Sequence, residues 1–122
     1  MGRLSGVRVV PLDDVPPIEL PGGSWSRVIL TGDRVGSASA LGFSSFAPGT
    51  ATAMLSHETE ELAYVLSGHG ELRLDDGVVP YGPESALYIP ARAWHAVANT
   101  GDEPVAMVFA FPHPDYPPTE RR

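Results

Sequence analysis

The chain has 122 residues, and at roughly 100–200 residues per domain that length supports one domain, large enough to bury a core without a disulfide or structural metal. Hydrophobic residues make up 43%, and 8 Lys and Arg against 15 Asp and Glu leave a formal charge of −7, a field that repels phosphate backbones and anionic lipid and so argues against a nucleic-acid partner. There is no Cys, which excludes disulfides, Cys-ligated zinc, iron–sulfur clusters and thiol catalysis; any metal must sit on His, carboxylate or other oxygen ligands.

In chain order, residues 1–24 contain Pro11, Pro16, Pro17 and Pro21 and read as an extended arm, with a short strand expected at Val7–Val10. Further strands are expected at Trp25–Leu30, Ser37–Phe46, Leu62–Leu66, Glu71–Leu74, Ala86–Ile89, Trp94–Ala98 and Val105–Phe111, separated by Gly- and Asp-rich turns such as Asp76-Gly77 and Thr100-Gly101-Asp102. In Thr50–Ser67, the only long stretch free of breakers, Ala51, Met54, Leu55, Leu62, Val65 and Leu66 also fit a helical stripe. The alternation Glu71-Leu72-Arg73-Leu74 after Ser67-Gly68-His69-Gly70 favours strand, turn, strand there instead. Residues 112–122 begin as Pro112-His113-Pro114-Asp115-Tyr116-Pro117-Pro118 and read as a polyproline-like tail, from which His113 or Tyr116 could fold over a barrel mouth. No run approaches the roughly 20 apolar residues of a membrane span, and no basic-then-apolar leader opens the chain, so a soluble, cytoplasmic protein with no membrane partner is expected.

Two of the four histidines lie in patterned surroundings. Gly49, His57, Glu61 and Gly68 form one ordered block, and Pro90, His95 and Asn99 a second. These blocks resemble the two motifs of the cupin superfamily. The first family motif runs Gly, five residues, His-x-His, three or four residues, Glu, six residues, Gly, and this chain matches it except that Leu55 stands where the first His belongs. The second motif is met with Arg92 in place of its inner Gly and Glu84 in place of its leading Gly.

The resemblance implies an all-β jelly-roll barrel, a double-stranded β-helix, in a single domain spanning residues 1–122, and a homodimer formed through the N-terminal arm or one sheet. It implies that the usual three-His-one-Glu metal set is reduced here to His57, Glu61 and His95. Two imidazoles and one carboxylate with open positions suit non-haem Fe(II), the favoured ion, and admit Mn, Co, Ni or Zn. Taken singly, each residue has a plainer reading: a lone His is usually structural, and Glu61 sits in an acidic run with Glu58 and Glu60 that would ordinarily be solvated. Leu55 is expected to face a small-molecule substrate. Arg92 is either a surface charge or a hook for an anionic substrate at the rim. Tyr88, Met107 and Phe109 belong either to the core or to the lining of a cavity. His69 is expected in an exposed turn and Asn99 in a strand-end hydrogen bond. A metal-dependent enzyme on a small organic metabolite is the leading reading, oxygenase type first, with an isomerase, cyclase or lyase as the alternative and a non-catalytic binding or sensing cupin as the rival from another class.

Overall fold

A computed structural model describes residues 6–122. The first five residues of the expected arm lie outside the described residues. Eleven strands are described, β1 (Ile18–Glu19), β2 (Trp25–Leu30), β3 (Ala40–Phe46), β4 (Leu55–His57), β5 (Glu61–Ser67), β6 (Gly70–Leu74), β7 (Gly77–Tyr81), β8 (Ser85–Ile89), β9 (His95–Ala98), β10 (Val105–Phe111) and β11 (Thr119–Arg121), with a one-turn helix, α1 (Gly32–Val35). They form two antiparallel sheets, one six-stranded in the order β1-β2-β3-β10-β5-β8 and one five-stranded in the order β11-β4-β9-β6-β7. From β3 onward successive strands alternate between the sheets, apart from the β6–β7 hairpin, so residues distant in sequence share one interior, as in a jelly roll.

The core follows from alternation. On β10 the residues Val105, Met107, Phe109 and Phe111 are buried and the intervening ones half-exposed, and β3 buries Ala40, Gly42, Ser44 and Phe46 in the same period-two pattern. Val65, Val105 and Phe111 are almost wholly buried, each such side chain stabilising the fold by about 1.5–3 kcal/mol relative to exposure. Asn99 does the expected work at the end of β9: its amide donates to the carbonyls of Phe46 and Glu103 at 2.9 and 2.8 Å, and its Oδ1 accepts from Gly101 N–H at 2.9 Å. Gly68 is left-handed (φ +86°), and a Cβ there would press on the Pro104 carbonyl and Val105, so this turn position requires glycine.

Several expectations need correction. Val7–Val10 forms no strand; Val7 and Val9 are 69% and 87% exposed, and no neighbouring strand satisfies that stretch of backbone. The chain from Thr50 to Ser67 needs none: it forms β4, a bend and β5, the strand reading favoured there over the helical stripe. The tail is not polyproline-like to its end, because β11 pairs antiparallel with β4 and places Thr119 opposite His57. β1, β7 and β11 are not among the expected strands, whereas β4 is the strand that puts Leu55 on the face of His57; the unexpected ones are short or, like β7 with Pro80, edge strands of the kind that tolerates proline. Among the described residues, no helix is long and apolar enough to cross a membrane.

Candidate metal centre

His57 ends β4 and His95 opens β9, neighbouring strands of the five-stranded sheet, while Glu61 opens β5 of the facing six-stranded sheet. The three side chains meet between the sheets. His57 Nε2 lies 3.2 Å and His95 Nε2 3.7 Å from Glu61 Oε1, and the two imidazole centroids are 5.0 Å apart. One potential ligand atom from each residue falls within 4.8 Å of the other two. The imidazoles are 3% and 2% exposed and the carboxylate 14%, so only Glu61 retains some contact with solvent.

The other nitrogen of each ring fixes its orientation. His95 Nδ1 is 2.9 Å from the Ala93 carbonyl, which can only accept, so Nδ1 carries the proton and Nε2 is left to face Glu61. Thr119 Oγ1 donates to the Pro117 carbonyl at 2.8 Å, leaving only lone pairs for His57 Nδ1 at 2.7 Å; that nitrogen therefore also donates, and its Nε2 points inward. Two inward lone pairs and an acceptor-only carboxylate are unsatisfied without a shared positive charge, either a proton or a metal ion. Burial disfavours the Glu61 carboxylate, but hydrogen bonds and charge attraction from His57 and His95 outweigh it and hold the group below its ordinary range. Burial likewise opposes a charged His95, yet Glu61 and the Ala93 carbonyl raise that imidazole above its ordinary value.

The donor set fits a metal. Donors held at about 2.1 Å from a tetrahedral or octahedral ion lie roughly 3.0–3.4 Å apart, close to the separations observed here. The hydrogen bonds from Nδ1 to Ala93 and Thr119 are the kind of outer contact that orients metal-bound histidines.

The cluster opens into a cavity of about 210 Å³. Leu55 and Phe109 line it as expected, Leu55 two residues before His57 on the same face of β4 and in register with His95. The end of the Phe109 ring fills the space that a side chain at Gly42 would take, so this close approach to β3 requires glycine. Three other expected substrate residues are placed elsewhere. Tyr88 is 63% exposed on the outer face of β8, Met107 is buried within the core cluster, and Arg92 lies in a turn outside the cavity, its N–H donating to the His57 carbonyl at 2.7 Å. The outward turn of Tyr88 follows from period two, since Ile89 beside it is the core residue.

Sequence reasoning left out Thr119, Ser26 and Ser44, which belong to no motif. Tyr116 does fold over the mouth, its ring 5.4 Å from His57 and 5.3 Å from Phe111, whereas His113 hydrogen-bonds locally with Asp115. Burial, with the nearby Glu61 carboxylate, pushes the Tyr116 phenol up to about 12, so it stays protonated at neutral pH. Arg92 (φ 67°) and Glu84 (φ 61°), which replace motif glycines, are the two non-glycine residues with positive φ among the described residues.

Comparison with known proteins agrees with this geometry. Residues 42–111 match the Cupin domain family. The chain is 36% identical over 114 residues to Protein SchB of Streptomyces halstedii, covering 88% of this chain and 82% of that one. It is 35% identical over 104 residues to Polyketide synthase CurC of Streptomyces cyaneus, covering 84% and 67%. In fold it is similar to the polyketide cyclase RemF of Streptomyces resistomycificus, with TM-score 0.78, 23% identity and coverage of 94% and 84%. It also superimposes on 34% of the oxalate decarboxylase of Lactobacillus farciminis, with TM-score 0.79, 20% identity and coverage of 89% of this chain. The family match spans more than half of the sequence and both ligand-bearing blocks, and the chain belongs to the cupin family.

Proposed function

We propose that this cupin is a metal-dependent cyclase acting on a polyketide-type substrate, with His57, Glu61 and His95 holding the ion. The observation that carries the reading is a buried two-His-one-carboxylate cluster at the end of a mostly apolar cavity, in a chain 35% identical over most of its length to a polyketide synthase protein. That relationship, together with a fold shared with a polyketide cyclase, favours the cyclase alternative over the oxygenase that the motif alone put first.

Ring closure of a poly-β-ketone requires removal of a proton from a methylene between carbonyls and addition of the resulting carbanion to another carbonyl. A divalent ion bound here supplies Lewis-acid stabilisation of the developing oxyanion. The donor set fits Mn, Fe, Co, Ni or Zn, and ring closure needs no change of oxidation state, so Fe(II) has no special claim in this reading. Glu61, the most exposed of the three groups, would hold the ion through one carboxylate oxygen, and its second oxygen is available to take the methylene proton at the cavity end. Leu55, Phe46, Val97 and Phe109 exclude water and constrain the folded chain of the substrate. Tyr116, protonated at the mouth, can hydrogen-bond to a substrate oxygen.

The test is anaerobic incubation of metal-reconstituted protein with the linear product of a minimal polyketide synthase, read by liquid chromatography and mass spectrometry. A cyclised product, at the substrate mass or one water lighter, supports the reading. A product formed only with dioxygen, heavier by oxygen, overturns it in favour of the oxygenase. The homodimer belongs to the same proposal: the outer strip Leu62, Tyr64, Leu66 and Tyr88 is the apolar face available for it, and Leu62→Glu is expected to lower the mass found by analytical ultracentrifugation.

A further inference from the structure

The interior wall of β2 and β3 carries an isolated polar feature. Ser26 and Ser44 face each other in register, their hydroxyl oxygens 2.7 Å apart, and both line the cavity that contains the metal centre. Ser44 is 3% exposed and occupies an interior position of β3 between Gly42 and Phe46. Two hydroxyls bring two protons, and their mutual hydrogen bond uses one. The second proton has no acceptor among the described residues and is free to be donated into the cavity that both hydroxyls line. The pair lies far from Glu61. Ser44 is level with Met107 on β10 and through it with Val65 on β5, four residues along that strand from Glu61, which at about 3.3 Å per residue is roughly 13 Å.

From this the geometry points to a second recognition point: the Ser26–Ser44 pair donates a hydrogen bond to a carbonyl or phenolic oxygen at the far end of a ligand whose near end carries an oxygen at the His57–Glu61–His95 centre. The ligand class is a slender apolar skeleton, two to three fused rings in length, with oxygen functions at opposite ends. The volume of about 210 Å³ accommodates that and little more, being below the roughly 300–1,000 Å³ of sites for drug-sized molecules. The inference rests on the cyclase reading only in treating this ligand as substrate or product; the recognition itself is a binding property.

The experiment compares paired probes on the metal-reconstituted protein by fluorescence titration: a naphthalene diol with hydroxyls at opposite ends against the corresponding mono-naphthol, and the matching anthraquinone diol and mono-ol. Wild type is expected to prefer at least one diol over its mono-ol by about fivefold, the worth of one neutral hydrogen bond. In Ser26→Ala/Ser44→Ala that preference falls to none while mono-ol affinity is unchanged. Ser26→Ala alone, at a half-buried position, serves if the double variant is poorly folded by circular dichroism, and is expected to reduce the preference. A preference that survives in the variants, or is absent from wild type for both ring systems, overturns the inference. Failure of the cyclisation assay leaves this binding difference intact and removes only the catalytic reading.

Discussion

His57 and Thr119 are 62 positions apart in sequence, yet His57 Nδ1 lies 2.7 Å from Thr119 Oγ1. The pairing of β11 with β4 makes a C-terminal hydroxyl the group that orients a buried imidazole. Thr119→Val keeps the shape and removes the acceptor, and at outer contacts of this kind metal affinity falls about 10–100-fold. Thr119→Ser restores the acceptor and is expected to bind metal near the wild-type level. Competition against a chelator measures both. Equal affinities for wild type and Thr119→Val would show that β11 does not tune the centre.

The coupled charges at the centre give the metal-free protein a defined pH response. Glu61 is held below its ordinary 4.5, so its contribution to stability is present above that value and is lost as pH falls through the lower folded pKa. His95 is raised above 6.5, so its contribution is complete below 6.5 and is lost as pH rises through the higher folded pKa. The cluster therefore stabilises the metal-free fold most between 4.5 and 6.5. A metal displaces the His95 proton, so its stabilising effect grows as pH rises. Thermal midpoints with and without metal across this range are expected to diverge towards neutral pH; a separation independent of pH would contradict the proton–metal exchange.

Glu84 and Arg92 hold left-handed backbone without being glycine. Their N–H groups are tied to the Val65 and His57 carbonyls at 2.7 Å, which keeps the turns in place despite the cost. Glu84→Gly and Arg92→Gly are each expected to stabilise the protein by about 0.5–1 kcal/mol, the left-handed penalty less the entropy glycine adds to the unfolded chain. Chemical denaturation checks this, and a loss of stability would show that the side chains make compensating contacts.

Leu55 faces the cavity beside His57 and in register with His95. Leu55→His adds a third imidazole, and so a fourth protein ligand, to the centre. It is expected to tighten metal binding about tenfold or more and to slow turnover by occupying an open position. Titration and the cyclisation assay read the two effects. Creation of binding where wild type has none would favour the non-catalytic binding module.

Much of the site was legible because its two blocks lie in short, strongly patterned segments, and strand alternation alone put Leu55 on the face of His57. The β10 strand, Val105–Phe111, was equally plain, since large interior residues alternate there with smaller ones. What escaped depends on tertiary pairing. β11 has no hydrophobic period and forms because β4 offers an unpaired edge, so Thr119 carried no local signal. Val7–Val10 shows the converse: β-branched residues without a partner strand stay exposed. Tyr88 and Met107 were ambiguous because an apolar residue on a strand fits the core, the cavity or the outer face until its register is known.

The most direct test of the account is the metal content of purified wild type and His95→Ala after reconstitution with a divalent ion and removal of excess, measured by mass spectrometry of the elements. About one ion per chain is expected for wild type and little for the variant, since a buried site reduced to His57 and Glu61 has lost one of its three ligands. Wild type that binds no ion, or a His95→Ala variant that keeps its full complement, would contradict the metal centre from which the proposed chemistry follows.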